Sequence, residues 1–226
     1  MPKNYISNSQ ESTRMFKSNL LEPLSKVPFF MPLVIFIPVI AYFIYLDFSS
    51  FHIGVGRFLL VFLAGIVFWT FTEYILHRFV FHFTPKGKTM ERIHFIFHGV
   101  HHDYPNDKFR LVMPPSVSLP LAALFFFGFK AVFAGQDLYA FFSGFILGYL
   151  VYDIGHYALH HFNFKSGWIK KIKQHHMLHH YSDAKKGFGV TSPLWDRILS
   201  SDFPKKKEKV AQREVAADAQ NTNAAA

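Results

Sequence analysis

The chain has 226 residues, half of them apolar and 19% aromatic with 29 Phe, yet 24 Lys and Arg against 15 Asp and Glu leave it at +9. That mixture is too apolar for an ordinary soluble domain and suits a membrane protein with one basic face. A nucleic-acid binder is disfavoured because the aromatics lie inside apolar runs. The absence of cysteine excludes disulfides and thiolate metal sites, so any metal must be held by His, Asp or Glu.

Residues 1–28 read as a polar segment carrying Lys3, Arg14, Lys17 and Lys26, without the pattern of a cleaved signal peptide. Phe29–Phe48 is the first apolar run. Twenty helical residues cover about 30 Å, enough to cross the hydrocarbon core. Pro32 and Pro38 predict kinks in it. A turn over Ser49–Gly56 leads to the second run, Phe58–Phe83. The last third of that run holds Glu73, His77, Arg78 and His82, so its helix is expected to continue out of the membrane. Thr84–Met113 is polar, and Met113-Pro114-Pro115 breaks the chain before the third run, Val117–Phe133. Ala134–Asp137 predicts a tight turn before the fourth run, Leu138–Leu159.

The pattern predicts an all-α integral membrane protein with four transmembrane helices and a histidine-rich cap, forming one unit over 29–203. The alternative is that the third and fourth runs form a re-entrant hairpin. The stretch 204–226 lacks any apolar pattern and predicts a flexible basic tail. Four basic residues precede the first run, 6 lie in His77–Met113 and 12 follow His161, leaving only Arg57 and Lys130 elsewhere. The positive-inside rule then places both termini and all the histidine clusters on the cytosolic side. The choice between a bacterial inner membrane and the endoplasmic reticulum stays open.

Thirteen of the 14 histidines fall in four groups: His77 and His82; His94, His98, His101 and His102; His156, His160 and His161; His175, His176, His179 and His180. His52 stands apart and reads as a loop or interfacial residue. His156 and His160 are four apart, so on a helix they point the same way. His98, His101 and His102 form H-x-x-H-H, as do His176, His179 and His180, and each triplet can offer three nitrogens to one centre. His77 and His82 are five apart, about 140° around an ideal helix, so they serve different metals or the helix distorts between them. These ten exceed one coordination sphere and suit two metals with about five each. Imidazole accepts iron, zinc, copper and nickel, and spacing does not choose among them.

Several neighbours are expected to support these ten. Glu73 precedes His77 by four and Asp153 precedes His156 by three, so each can orient a ligating ring through its other nitrogen. His94 and His161 are expected beside the ligands, and His175 at the surface or in a hydrogen bond. Asp103 and Asp107 are expected to be solvated or paired with Lys108 and Arg110. Tyr104, Lys108 and Arg110 are the candidates to meet a lipid headgroup or carboxylate.

Four strings carry a family resemblance: EYILHRFVFH (Glu73–His82), HFIFHGVHHDYPNDKFRLVMPP (His94–Pro115), YDIGHYALHH (Tyr152–His161) and HHMLHHYSDAKKGFGVTSPLWDRI (His175–Ile198). Through them the chain resembles the fatty acid hydroxylase superfamily of histidine-rich, membrane-bound di-metal oxygenases, and most of all its fatty acid 2-hydroxylases. H-x-x-H-H alone is shared across the superfamily, whereas the HHDYPNDKFRLVMPP and GFGVTSPLWD strings are more specific. The resemblance covers roughly Glu73 to Asp202 and implies that the same ten histidines are the metal ligands and the catalytic set.

The resemblance further implies oxygen-dependent hydroxylation at C2 of a fatty acyl chain, free or in a sphingolipid. Because zinc has no redox cycle, two irons are expected in the working enzyme, with zinc possible in a purified form. No HPGG motif of the cytochrome b type occurs, so a separate electron-donor protein is expected. The alternatives are a carotenoid or sterol hydroxylase or desaturase of the same superfamily and, more distantly, a transition-metal transporter. A transporter should carry ligands near the bilayer midplane, but the first and third runs hold no histidine.

Overall fold

The computed structural model describes residues 5–133 and 135–204, and these residues form helices and loops without a strand. In chain order the helices are α1 (Leu21–Leu24), α2 (Met31–Ser49), α3 (Val55–Ile75), α4 (Lys88–His94), α5 (Val100–Asp103), α6 (Pro115–Lys130), α7 (Gln136–His161), α8 (Gly167–Tyr181) and α9 (Leu194–Ile198). Two π-helical segments interrupt them: Leu76–Phe81 prolongs α3, and Phe95–Gly99 joins α4 to α5.

Among the described residues, three helices are long and apolar enough to cross a membrane: Met31–Ser49, Val55–Phe81 and Gln136–His161. The third apolar run forms the shortest of the four apolar helices. Its helix α6 has 16 residues, about 24 Å, which falls short of a 30 Å hydrocarbon core. Pro32 departs from the sequence reading, because it occupies the first turn of α2, where a missing N–H leaves no bond unmade. The Ala134–Asp137 turn lies partly outside the described residues, and so does the 204–226 tail beyond Pro204.

Helix α7 is the central post, packed most extensively against α3 and next against α2. Glycine makes the α3–α7 crossing close. A Cβ added at Gly144 would lie 1.9 Å from the Phe62 carbonyl oxygen, and one at Gly65 would lie 2.1 Å from that of Phe141. At Gly148 it would meet the Trp69 side chain at 2.6 Å. Lipid tails are as apolar as leucine, so helices in a bilayer associate through such close packing. Around the crossing, Phe36, Trp69, Phe142, Phe145 and Tyr149 form the buried aromatic core. At the end of the bundle away from the histidines, Arg57 clamps Asp137 with two bonds of 2.8 and 2.7 Å, tying the start of α3 to the start of α7.

The N-terminal segment is more than the polar stretch its composition suggests. Residues 5–27 form a strap across the histidine end. Ile6 and Ser7 N–H donate to the Asp103 carbonyl, and Thr13 N–H donates to Asp107. Arg92 donates to the Met15 carbonyl, and Val27 N–H to that of Phe109. A buried polar knot locks the strap. Glu22 accepts from Met15 and Phe16 N–H and pairs with Arg110 at 2.6 Å. Arg110 also donates to the Thr13 carbonyl and Ser25 and lies 3.5 Å from Asp107. Arg110 thus pins the strap through these partners, and it also lines a cavity beside the histidines. Burial pushes the Glu22 carboxyl up, but the Phe16, Lys26 and Met15 hydrogen bonds and the Arg110 charge outweigh it and hold the group at about 2.

Candidate metal centre

Four helical segments deliver ten histidines to one end of the bundle, where they fall into two groups of five. Site 1 contains His77, His82, His98, His102 and His179; site 2 contains His101, His156, His160, His176 and His180. Within each site one nitrogen from every ring lies within 4.8 Å of the others, so each site could hold a metal ion. In nine of the ten rings Nε2 approaches the Nε2 of a neighbouring histidine. Those of His77 and His98 approach to 3.1 Å, those of His179 and His82 to 2.9 Å, and those of His160 and His176 to 3.0 Å. The sites adjoin, with the rings of His102 and His180 stacked at 4.2 Å.

Local helix geometry produces this sorting. His82 N–H donates to the His77 carbonyl at 3.1 Å, an i→i+5 bond. The π turn takes about one more residue per turn than an α-helix, so rings five apart return to one side. His77 and His82 thus share site 1, and of the two sequence alternatives the helix distortion holds while the separate metals do not. The H-x-x-H-H triplets are also corrected, because neither serves one centre. His98 and His102, four apart, face site 1, while His101 turns to site 2. His176 and His180 face site 2, while His179 turns to site 1. On a helix i and i+4 differ by about 40°, but i+3 lies about 100° from i+4. Each triplet therefore straddles two adjacent centres, and the two triplets do so in opposite senses.

The supporting residues differ from the sequence expectation. Glu73 does not bond the His77 ring. Its carboxylate accepts from Val190 N–H at 2.7 Å, Thr191 N–H at 2.9 Å and the Thr191 hydroxyl at 2.6 Å. The loop it holds supplies the contact instead, as His77 Nδ1 lies 2.5 Å from the Phe188 carbonyl oxygen. Asp153 likewise misses His156 and accepts from Met113 N–H and the Tyr149 hydroxyl. His94 packs on Phe83, and His161 on Tyr157, and both lie outside the two sites. His175 bonds Asp196 at 3.2 Å.

Asp196 escaped the sequence reading as a supporting residue. It is fully buried and accepts from Phe188 and Gly189 N–H at 2.9 and 2.8 Å and from the Ser201 hydroxyl at 2.8 Å. Burial raises its pKa, yet the bonds from His175, Gly189, Ser201 and Phe188 win and hold it below the usual carboxylate range. The Gly187-Phe188-Gly189 turn needs its glycines. Gly187 has φ +70°, and a Cβ at Gly189 would lie 2.1 Å from the Ser192 carbonyl oxygen. The GFG…D string was the signal, readable only through the resemblance.

Electrostatics favour the ligand form. Burial first, and crowding by neighbouring rings second, hold His98, His101, His102, His176 and His180 well below the usual imidazole range. Burial outweighs the Lys186 carbonyl to bring His179 to about 4. Neutral rings with free lone pairs are what a metal requires.

A cavity of about 240 Å³ opens beside the sites and touches His98, His101 and His156. Its walls are mostly apolar, with Phe81, Phe97, Val112 and Val117 among them, and the strap adds Met15, Phe16, Leu21 and Leu24. Tyr104 and Lys108 do not line it.

An all-helical membrane protein with two five-histidine sites beside an apolar cavity is the class that the fold and site define. Comparison with known proteins narrows it. The fatty acid hydroxylase family profile matches residues 62–201. The ceramide very long chain fatty acid hydroxylase scs7 of Schizosaccharomyces pombe is 40% identical over 82% of this chain and 54% of its own length. The dihydroceramide fatty acyl 2-hydroxylase FAH1 of Arabidopsis thaliana is 36% identical over 85% of this chain and 81% of its own. A solved structure of full-length scs7p, with only the hydroxylase domain visible, superposes with a TM-score of 0.78 at 36% identity, covering 82% of this chain and 70% of that one. The chain belongs to the fatty acid hydroxylase family. It spans about half the length of the fungal relatives it matches.

Proposed function

We propose that this chain hydroxylates C2 of a fatty acyl chain, free or within a sphingolipid, with the ten histidines of sites 1 and 2 holding two iron ions. The relatives' activities support the substrate class. The observation that carries the reading is the contact of one apolar cavity with rings of both sites, His98 on one side and His101 and His156 on the other. The residues fit a metal pair, with ten inward nitrogens of which seven belong to buried rings. Bound iron would supply the redox chemistry for using dioxygen, which zinc lacks. One oxygen atom enters the C2–H bond; the other leaves as water with two electrons and two protons from an electron donor.

The chain's own residues position the substrate and exclude water. Phe97, Leu21 and Leu24 line the cavity while remaining 52%, 47% and 58% exposed, so they form its lip on the lipid side. An acyl chain would pass between them, with the strap's Met15 and Phe16 forming one wall of the cavity. Residues 29–203 then make the hydroxylase unit, and the strap closes its cavity through Met15, Phe16, Leu21, Leu24 and Ser25. We infer that α6 also crosses most of the bilayer. Its start adjoins Met113, bonded to Asp153, and the turn after it adjoins Asp137, bonded to Arg57. The Asp137-to-Asp153 stretch of α7 matches its length at about 24 Å. The distribution of Lys and Arg supports a cytosolic histidine end.

The test is the lipid profile of a host expressing the wild type or His156→Ala, His160→Ala, with metal content measured on both proteins. New 2-hydroxy acyl lipid from the wild type alone, with about two metals per chain, is the expected result. Two metals with a hydroxylated sterol or carotenoid and no 2-hydroxy acyl product would move the substrate. A folded wild type without metal would overturn the proposal.

A further inference from the structure

Each site has five imidazoles, but their surroundings differ. In site 1, His77 Nδ1 faces the Phe188 carbonyl oxygen at 2.5 Å and His179 Nδ1 faces that of Lys186 at 2.7 Å. A carbonyl only accepts, so each Nδ1 carries the proton and each Nε2 turns its lone pair inward. None of the site 1 ring nitrogens is both buried and without a partner. In site 2 the Nδ1 atoms of His101, His160, His176 and His180 are buried without a hydrogen-bond partner among the described residues, as is His156 Nε2. To bind through Nε2, four of these rings must each place an N–H where the protein offers no acceptor.

Resting on the metal reading above, we propose that the sites are unequal: site 1 binds its metal more tightly than site 2, and Glu73 and Asp196 are positioning residues for site 1. They act through the 186–191 loop. Asp196 holds Phe188 and Gly189 N–H, and Glu73 holds Val190 and Thr191 N–H. The Phe188 carbonyl, within the anchored stretch, is aimed at His77, and the Lys186 carbonyl, just before it, is aimed at His179, with Gly187 N–H between them held by the Ser201 carbonyl. Phe188 also packs on the rings of His77, His82 and His179, all in site 1. No comparable loop reaches a site 2 Nδ1 among the described residues. Loss of such outer contacts changes metal affinity by about 10–100-fold, so a gap of at least about tenfold between the sites is expected.

The experiment loads the full chain, purified in lipid nanodiscs, with zinc and follows its release to graded chelator. The wild type should release zinc in two steps separated by about tenfold or more in chelator. His101→Ala, His180→Ala should abolish the weak step and keep the tight one, and His77→Ala, His98→Ala should do the reverse. Glu73→Gln and Asp196→Asn should move the tight step toward the weak one and leave the weak step in place. Both zincs leaving together overturns the inequality, and the wild-type curve alone decides that. An equal shift of both steps in Asp196→Asn and Glu73→Gln overturns the positioning role. Zinc failing to bind a folded wild type overturns the metal reading as well, so the two failures are distinguishable.

Discussion

In the membrane half, α3 and α7 meet through Gly65, Gly144 and Gly148, with backbone and aromatic side chains where a Cβ would otherwise stand. In the histidine half, carboxylates make the joins: Glu22, Glu73, Asp107, Asp153 and Asp196 each accept backbone N–H groups. The contrast follows the solvent. Lipid offers no hydrophobic drive between helices, so contact area at short range must hold them. Near water, loops can be fixed by a buried acid whose oxygens accept several hydrogen bonds, and unpaired it would be costly.

The largest expected effect breaks the first half of this comparison. Gly144→Leu forces side-chain atoms into the Phe62 carbonyl, where even a Cβ would stand at 1.9 Å. Folded, monodisperse protein should be largely lost on extraction, while Gly128→Leu, with open space at its Cβ, should extract like the wild type. Equal yields for the two variants would show that close packing is not what holds α3 to α7.

The second half breaks at the strap. Arg110→Met leaves Glu22 and Asp107 buried beside no guanidinium, a loss of about 3–5 kcal/mol. Limited proteolysis should then cut within residues 5–27, with thermal unfolding at lower temperature. An uncut strap would mean that its backbone bonds suffice.

A smaller effect sharpens the comparison through pH. Glu22 is held at about 2 in the folded chain against 4.5 for the free group. Its contribution is therefore complete above about pH 4.5 and is lost as pH falls toward 2. Hydrogen exchange at Met15 and Phe16 amides should rise across that window, and Glu22→Gln should flatten the dependence. The smallest effect concerns the outer loop. Tyr104→Phe and Lys108→Ala should change stability by less than about 0.5 kcal/mol and leave product formation unchanged, because neither residue borders the cavity. A drop in turnover would return them to the substrate site.

The sequence by itself determined the helical class, the apolar runs and the histidines that meet at one end, because bilayer length and i, i+4 spacing are local properties. It also showed Glu73 and Asp153 as acids too deep to be idle. Only the tertiary structure decided the rest. Helix α7 is less apolar than α2 and α3 yet far more buried, since protein surrounds it where lipid surrounds α2, and hydropathy does not tell these apart. Which site each histidine serves depends on a π turn and on how two straddling triplets face each other. The partners of Glu73, 117 residues away, and of Arg110, 88 residues from Glu22, are set by chain crossings no window of sequence contains. Local chemistry is written residue by residue, while the pairing of distant loops exists only once the helices have packed.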